Sequence, residues 1–387
     1  MKIILGCDPL LMPLTGIGHY TQQLGNALLS NKEVDGLELF AHGKFFPKKL
    51  LNNDAFDDKN EKAKPNITSI IRAKLASSES IVKVYQAILP YITKVALRNH
   101  SDHIFHSPNF VLPTFDGYKI TTIHDLSTIR YPQYHPKARV NFVNNAIIDA
   151  VDKADHIITD SEFVKNEIIH LLSGSKDKIT AIPLGASSSF FPRSHMECKE
   201  TLVKYDIEYN QYFLFVSTLE PRKNLDNLLD AFTLYREKNQ AGLPLVLVGG
   251  QGWNNESILD KIKHLEHKGW IKYLGYLPQH HIPILYAAAR ALLFPSVYEG
   301  FGLPVLEAMQ SGTPVVTCKD SSMHEITDNC AALVNVDDVD GMADYIERFV
   351  LDDKWQCDLS KAGVIRAQAF SWQRCVEETL NVYKALK

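Results

Sequence analysis

One strand–helix–strand segment constrains the fold of this chain more than any other. The apolar run Ala-Leu-Leu-Phe at 291–294 predicts a short buried strand that ends at Pro295. A glycine-bearing turn follows, and the pattern predicts a helix over Leu303–Gln310, closed by a glycine and a proline before a strand that begins at Val315. Two apolar strands around one helix indicate a parallel sheet in an α/β protein.

The turn before this helix carries groups that suit a sugar nucleotide. A helix start offers unpaired backbone N–H groups and the positive end of a dipole, which favour a phosphate. Gly300 and Gly302 let the backbone approach such a ligand. Glu299 in the loop and Glu307 in the helix would repel phosphate, but a carboxylate accepts hydrogen bonds from a vicinal diol. Phosphate and diols together describe a nucleoside-diphosphate sugar.

The whole segment resembles the signature of the large retaining glycosyltransferase family called family four, or glycosyl transferases group 1. Besides Glu299 and Glu307, the matching residues are Pro295, Ser296, Gly300, Phe301, Gly302, Leu303, Pro304, Ala308 and the run 312–316. An ordinary α/β segment with two surface glutamates would match the carboxylates alone. The resemblance implies an α/β protein of the GT-B fold, in which two Rossmann-like parallel-sheet domains face a central cleft.

Length and composition fit a globular protein of this size. The 387 residues, 45% hydrophobic and 22% charged, suggest two or three domains, and the net charge of −4 gives no reason to expect a nucleic-acid partner. Six scattered cysteines without C-x-x-C spacing suit a reducing cytosol. The N-terminus resembles a first strand and not a signal peptide, and no apolar run is long enough to predict a transmembrane helix.

Strands and helices alternate along the chain in two series. The first predicts strands near residues 2–6, 38–41, 103–106, 120–124, 156–159 and 178–183, with helices near 19–29, 80–97 and 161–172. The second predicts strands near residues 212–217, 245–248, 273–275, 291–294, 315–318 and 332–334, with helices near 225–236, 282–289, 303–310 and 341–351. Residues 185–197 resemble a linker. We therefore predict an N-terminal, acceptor-side domain over 1–190 and a nucleotide-sugar-binding domain over 198–369, and the resemblance implies that a final helix within 370–387 returns to the first domain.

A glycine loop follows the first predicted strand. Gly16 and Gly18 open a helix in a context that suits a pyrophosphate, which also suggests the dinucleotide motif G-x-G-x-x-G of oxidoreductases. The sixth position of that motif is Thr21, and no acidic residue ends the next strand at Ala41, which weakens this alternative. The resemblance implies that Gly16 faces the donor diphosphate and the acceptor.

Two adjacent cations, Arg222 and Lys223, follow the strand near 212–217. The carboxyl end of a parallel strand beside a helix start is where an open α/β sheet binds anions, and a departing diphosphate needs positive charge. Lys223 matches the family lysine. At the positions of the family's Gly-Arg pair this chain has Ser217 and Thr218. We expect Arg222 to supply the missing guanidinium, although the sequence leaves open which arginine takes the place of the family arginine.

Other cleft residues follow from the resemblance. His124, before Asp125 at a strand end, is expected to hydrogen-bond a sugar hydroxyl, and His106 is a weaker candidate for the same cleft. Gly250 is expected to pass close to the nucleotide. Backbone at Tyr276 and Leu277 is expected near the base, and Gly300, Phe301, Gly302 and Leu303 complete the donor site.

No metal or other cofactor is expected. Asp338 and Asp340 match the Asp-x-Asp pattern that holds a divalent ion in glycosyltransferases of another fold, but they precede a helix start, where acidic residues cap. His280 and His281 likewise resemble a helix entrance and not a metal site.

The predicted function is a retaining transfer of a hexose to a glycan or polyprenyl-diphosphate-linked glycan in O-antigen (lipopolysaccharide) synthesis. GDP-mannose is the favoured donor, because the chain resembles bacterial mannosyltransferases of this process. In this prediction Arg222, Lys223 and the helix start stabilise the leaving diphosphate, Glu299 orients the sugar and Glu307 binds the ribose. The alternatives are a UDP-sugar donor or a nucleotide-binding oxidoreductase; an epimerase of the same fold and a non-catalytic sugar-binding relative are further possibilities. The chain is expected in the cytoplasm. Its basic and aromatic stretch from Phe45 to Arg98 is either a solvated face or a peripheral contact with an anionic membrane.

Overall fold

The computed structural model describes residues 1–11, 16–52, 79–253 and 255–386, with the backbone alone for 79–87. The expectations for the residues before Gly16 in the glycine loop, and for the middle of the stretch Phe45–Arg98, lie outside these residues. The described chain forms two sheets, which we describe as two units: an N-terminal unit of strands β1–β7 with helices α1–α5, and a C-terminal unit of strands β8–β13 with helices α6–α13.

The sheet of the N-terminal unit has the strand order β3-β2-β1-β4-β5-β6-β7. Its strands are β1 (Lys2–Gly6), β2 (Gly36–Ala41), β3 (Lys44–Phe46), β4 (Ile104–Ser107), β5 (Tyr118–Ile123), β6 (His156–Thr159) and β7 (Ile179–Ala181). Neighbours pair in parallel, apart from the antiparallel pair β2 and β3, which the sequence analysis did not predict. The order reverses between β1 and β4, which is where open α/β sheets form a ligand crevice.

The helices of the N-terminal unit are α1 (Gly16–Ser30), α2 (Glu79–Leu97), α3 (Ser127–Arg130), α4 (Lys137–Lys153) and α5 (Glu162–Leu172). Ser161 caps α5, because its hydroxyl accepts a hydrogen bond from the Val164 amide at 3.2 Å. A 3₁₀ helix at Pro132–Tyr134 connects α3 to α4. No helix in the described part of the chain is long and apolar enough to cross a membrane.

The sheet of the C-terminal unit is parallel throughout its six described strands, in the order β10-β9-β8-β11-β12-β13. The strands are β8 (Phe213–Val216), β9 (Leu245–Val248), β10 (Ile271–Gly275), β11 (Ala291–Phe294), β12 (Val315–Cys318) and β13 (Ala332–Val334). Central strands such as β9 and β11 are buried along their whole length, which explains why they are continuous apolar runs.

The helices of the C-terminal unit surround this sheet. They are α6 (His195–Lys204), α7 (Leu225–Lys238), α8 (Glu256–His267), α9 (Ile282–Ala288), α10 (Leu303–Gln310), α11 (Ser322–Thr327), α12 (Val339–Leu351) and α13 (Asp353–Ala367). The predicted linker at 185–197 overlaps the start of α6, because Ser194 and Glu197 form a capping box that the sequence analysis missed.

The last helix, α14 (Trp372–Ala385), packs against α1 of the N-terminal unit. The hydroxyl of Tyr383 lies 2.5 Å from His106 Nδ1, and His106 Nε2 lies 2.8 Å from the Thr122 hydroxyl. His106 is fully buried, and this burial, together with the charge of His124, lowers the pKa of His106 to about 3. The expectation that His106 shares the cleft is therefore wrong: it is a core residue that joins α14 to the sheet.

Candidate functional site

The carboxyl ends of both sheets face a cleft of about 450 Å³. Gly16 and His124 line it from the N-terminal unit, and the predicted residues that line it from the C-terminal unit are Lys223, Gly250, Tyr276, Leu277, Glu299, Gly300, Phe301, Gly302, Leu303 and Glu307. Residues that the sequence placed in distant loops are thus brought to one cavity. Arg222 is not among the described residues that line it.

Glu299 lies in a network of cations. Lys223 Nζ lies 2.5 Å from its Oε1, the Ser296 hydroxyl donates to the same oxygen at 2.7 Å, and Arg222 Nη1 lies 3.3 Å from Oε2. Burial by itself would raise the pKa of Glu299, but Lys223 and Arg222 outweigh it and lower this pKa to about 2. Glu299 is therefore ionised at neutral pH, and its charge is already paired before any ligand arrives.

Arg222 lies behind Glu299 and away from the cavity. Its Nη2 donates to Glu220 Oε1 at 2.8 Å and its Nη1 donates to the Tyr298 carbonyl at 2.5 Å, so both terminal nitrogens of its guanidinium are occupied by protein groups. The structure thus differs from the expectation that Arg222 contacts the leaving diphosphate. Its position supports a different role, in which it holds Glu299 while Lys223 faces the cleft.

Glycine at 300 and at 249 is required by close backbone contacts. A Cβ added at Gly300 would lie 1.8 Å from the carbonyl oxygen of His124, so the two units touch at this point. A Cβ added at Gly249, which has a φ of 142°, would lie 1.9 Å from the Ser217 carbonyl oxygen. The sequence analysis selected Gly250, which lines the cleft in open space, and overlooked the more constrained Gly249.

The N-terminus of α10 opens into the cleft as an anion site. Gly302 is its N-cap with a φ of 105°, no described side chain caps it, and Pro304 at the second position has no N–H to satisfy. Gly16 stands opposite, because a Cβ built on it would lie 3.9 Å from Leu303 Cδ1. The start of α1 in one unit therefore lies beside the start of α10 in the other.

Glu307 has surroundings opposite to those of Glu299. It lines the cleft half-buried, and in the described part of the chain no ion pair reaches it. Burial raises the pKa of Glu307 to about 8, and the Tyr286 hydroxyl lies beside the carboxyl. Much of Glu307 is therefore protonated at neutral pH in the ligand-free protein.

His124 has both ring nitrogens occupied. Nδ1 donates to Asp160 Oδ2 at 2.7 Å and Nε2 donates to the Pro108 carbonyl at 2.9 Å. With Asp160 ionised both partners are acceptors, so both ring nitrogens carry protons and the ring is an imidazolium. Burial opposes that charge, yet Asp160 outweighs burial and the pKa of His124 is raised. The expected hydrogen bond from this ring to a sugar hydroxyl is not available here. Asp160, which the sequence analysis missed, directly follows β6 and also lines the cleft.

Comparison with known proteins identifies the family of this chain. A family model described as Glycosyl transferases group 1 matches residues 200–365. O-antigen chain mannosyltransferase B of Escherichia coli is 37% identical over 386 residues, covering 100% of both chains. The chain belongs to the glycosyl transferases group 1 family. O-antigen chain mannosyltransferase RfbU of Salmonella typhimurium is 28% identical over 239 residues, 59% of this chain and 62% of that protein.

Solved structures confirm the predicted fold class of this glycosyltransferase. Sucrose-phosphate synthase of Thermosynechococcus elongatus superposes with a TM-score of 0.73 at 19% identity, covering 100% of this chain and 99% of the other. HepE of Anabaena, in complex with UDP-glucose, superposes with a TM-score of 0.70 at 18% identity and covers 100% of both chains. The two parallel sheets around a cleft are the GT-B fold.

Family membership excludes the oxidoreductase alternative for this glycosyltransferase, and the glycine loop shows why the motif was misleading. Thr21, at the position where the dinucleotide motif has glycine, is fully buried and its hydroxyl donates to the Ile17 carbonyl at 2.7 Å. Gly18 is buried inside α1, whereas Gly16 is exposed at its start. Only one glycine of the pair therefore faces the cleft.

The loop after β10 forms the far end of the glycosyltransferase cleft. Tyr276 is 72% exposed and Leu277 is 7% exposed, so one side chain projects outward while the other packs under the loop. Gln279 and Ile282 extend the same wall and were not predicted. These four residues give this part of the cleft apolar groups together with one amide and one phenol hydroxyl.

Both candidate metal patterns of the glycosyltransferase have structural explanations. Asp338 caps α12, because its Oδ1 accepts a hydrogen bond from the Gly341 amide at 2.9 Å, which confirms the capping interpretation. His281 lies at the entrance of α9 with Nδ1 2.5 Å from the Tyr205 hydroxyl. The residues that the structure describes contain no group of three or more potential metal ligands.

Proposed function

We propose that this glycosyltransferase transfers a hexose, with retention of anomeric configuration, from a nucleoside-diphosphate sugar to a glycan or lipid-linked glycan in O-antigen synthesis. The observation that carries the proposal is the cleft, which is lined by Lys223, by the start of α10 and by the carboxylates of Glu299 and Glu307. Mannose from GDP-mannose is the favoured donor because the full-length relative at 37% identity is named a mannosyltransferase.

The chemistry assigns each group one task. The diphosphate lies between Lys223 and the N-terminus of α10, whose positive charge and helix dipole stabilise the diphosphate as it leaves. Glu299 accepts hydrogen bonds from the hexose and Glu307 accepts them from the ribose diol. The bond from the anomeric carbon to the phosphate oxygen breaks, the acceptor oxygen attacks that carbon from the same face, and the acceptor proton passes to the leaving phosphate.

A donor panel tests the assignment. Thermal shifts with GDP, UDP and ADP should be largest for GDP. A ligand that binds only the folded state stabilises the protein more, at a given ligand concentration, the lower its Kd is. GDP-mannose should then support transfer to a glycan acceptor, with an α-linked product from the α-linked donor by NMR. A preference for UDP and its sugars would replace the donor, and an inverted product would reject the retaining mechanism.

Glu307 is expected to couple nucleotide binding to proton release. The carboxylate suits a diol, and the pKa of Glu307 is about 8, so GDP affinity should rise as the pH increases from about 7 towards 8 and level off above it. Glu307→Gln should abolish this dependence and weaken binding above pH 8 by roughly 1–3 kcal/mol, the strength of a charge-assisted hydrogen bond. Calorimetry in buffers of different ionisation enthalpy measures the proton. A pH-independent wild-type affinity would contradict the role.

Transfer is expected to need no metal ion. Lys223 and α10 already place positive charge at the diphosphate, so activity should survive EDTA. Asp338→Asn should also remain active, because asparagine keeps the oxygen that caps α12. Strict dependence on Mg²⁺ or Mn²⁺ in the donor assay would show that an ion performs part of this task.

A surface of the N-terminal unit suits a peripheral membrane contact. We define the β3–α2 surface by exposed apolar and basic residues: Lys44, Phe45, Lys48, Lys49, Ile88, Tyr91, Lys94, Val95 and Arg98. β3 and α2 lie together, since a Cβ on Gly43 would lie 2.7 Å from Ile92 Cγ2. Tyr91 is 72% exposed, and lysine and arginine beside such groups favour the anionic headgroups of a cytoplasmic leaflet, where a polyprenyl-linked acceptor resides.

Liposome flotation tests this contact. The protein should float with anionic vesicles at low salt and not with neutral ones, because each lysine or arginine near the surface contributes about 1 kcal/mol. Lys44→Glu with Lys94→Glu should abolish flotation, whereas Lys263→Glu in the C-terminal unit, where Lys263 pairs with Asp260, should not. Binding that survives high salt would indicate an apolar contact, and no binding would favour a soluble acceptor.

A further inference from the structure

The loop that carries Glu299 is held on both sides by the N-terminal unit. The Tyr298 hydroxyl accepts a hydrogen bond from the Leu126 amide at 3.0 Å and donates to Glu167 Oε2 at 2.5 Å. The Gly300 carbonyl accepts a hydrogen bond from the Ser161 hydroxyl at 2.7 Å. Both neighbours of Glu299 are therefore bonded to the N-terminal unit, although Glu299 itself bonds within its own unit.

The same tyrosine also contacts the network that holds Glu299. Its carbonyl accepts from Arg222 Nη1 at 2.5 Å, and that atom lies 3.3 Å from Glu299 Oε2. On the other side, Arg130 Nε lies 3.1 Å from Glu167 Oε1. A continuous series of polar contacts thus runs from the N-terminal unit through Tyr298 and Arg222 to the Glu299 carboxylate.

Tyr298 is buried at the junction of the two units, with 1% of its surface exposed. Its ring centroid lies 5.5 Å from that of Tyr131 and 6.0 Å from that of Phe163, both of the N-terminal unit. It is not among the described residues that line the cleft. Tyr298 can therefore affect the donor only through the backbone and side chains next to it.

We propose that Tyr298 is a positioning residue that makes the geometry of Glu299 depend on the approach of the two units. With the units together, Leu126 and Glu167 hold the tyrosine, the tyrosine carbonyl holds Arg222, and Glu299 keeps the position needed for the hexose. With the units apart, these bonds are lost and the loop relaxes. This inference rests on the proposed role of Glu299 towards the donor sugar.

Of the groups proposed for the bare nucleotide, Glu307 and α10 lie outside this series of contacts, and Lys223 meets it only at its end, in the ion pair with Glu299. Lys223, Glu307 and α10 belong to the C-terminal unit, so they keep their positions when the hydroxyl of Tyr298 is removed. A residue needed only for folding would weaken nucleotide binding and transfer together. A residue that positions Glu299 should impair transfer and leave nucleotide binding unchanged.

The variant Tyr298→Phe tests this by removing the hydroxyl while keeping the ring between Tyr131 and Phe163. We expect kcat to fall on the order of tenfold to a hundredfold, the effect of losing a hydrogen bond to a charged group, with the Kd for bare GDP within about twofold of wild type. Hydrogen exchange at residues 299–302 should accelerate. Tyr131→Phe is the matched control, because the Tyr131 hydroxyl makes no hydrogen bond within the described residues, and it should behave as wild type.

A double-mutant cycle adds a second test. Glu167→Gln in the Tyr298→Phe background should cost little further activity, because the bond between the two is already absent. Wild-type kcat in Tyr298→Phe, or equal losses of transfer and GDP affinity, would overturn the inference. If the wild-type protein transferred no hexose from any donor, the proposed function would fail. Hydrogen exchange at residues 299–302 would still decide the inference about Tyr298. Faster exchange in Tyr298→Phe supports the inference, and unchanged exchange overturns it.

Discussion

Replacing Lys223 by methionine is expected to reduce turnover on the order of 100-fold or more, the scale of losing a group that stabilises transition-state charge. Lys223 is a cation that faces the cleft at the proposed diphosphate position, and no arginine is found among the described lining residues. Methionine keeps most of the side-chain volume and removes the charge. Binding of bare GDP should weaken as well, because the diphosphate carries its charge before the reaction. Steady-state kinetics and calorimetry measure the two losses.

The matched control is Lys261→Met. Lys261 also belongs to the C-terminal unit and also forms ion pairs, with Asp226 at 3.2 Å and Asp230 at 2.8 Å, but it does not line the cleft. Its kinetics should match those of wild type. A Lys223→Met enzyme with near-normal turnover would show that the positive charge at the diphosphate comes from elsewhere.

Glu299→Gln is expected to separate transfer from nucleotide binding. Turnover should fall on the order of 100-fold, because the hexose loses its charged acceptor. Affinity for bare GDP should rise by up to roughly tenfold, the value of one charge-assisted hydrogen bond. The reason is competition: Lys223 lies 2.5 Å from Glu299 Oε1 in the free protein, and the diphosphate must share or replace that contact.

Two comparisons sharpen this result. Arg222→Lys should lose turnover, as Glu299→Gln does. Its GDP affinity should stay close to that of wild type, because Arg222 lies behind Glu299. Glu266→Gln, which alters a carboxylate that accepts from the Tyr273 amide at 2.8 Å outside the cleft, should leave both quantities unchanged. If GDP affinity fell in parallel with turnover in Glu299→Gln, the competition between Glu299 and the diphosphate would be disproved.

The features that the sequence predicted well are those encoded within a short stretch of chain. β11, α10 and β12 were predicted with their observed bounds because apolar runs, glycine and proline define them locally. Two of the helices that were missed, α4 and α13, have weak apolar periodicity. α4 buries only Val143, Ile147 and Ala150, and α13 buries only Gly363 and Ala367, so their sequences resemble solvated segments.

The site was predicted in its composition and less well in its contacts. Motif residues reached the cleft, but partners distant in sequence decide what each side chain can do. His124 is occupied by Asp160, which lies 36 positions later, and Lys223 pairs with Glu299, which lies 76 positions later. The burial that raises the pKa of Glu307, and the two cations that outweigh burial and lower the pKa of Glu299, are likewise properties of the assembled units. Such information is absent from any local pattern.

The position of α14 has a consequence for biosynthesis. Tyr383 completes a buried hydrogen-bonded series with His106, 277 positions earlier, and Thr122 continues it to the Tyr20 hydroxyl at 2.9 Å. A nascent chain that has just finished β7 leaves this polar series without its last member and α1 without the helix that covers it. The N-terminal unit, most of which the ribosome synthesises first, therefore cannot complete its packing until α14 has been synthesised. The entire C-terminal unit is translated before that point.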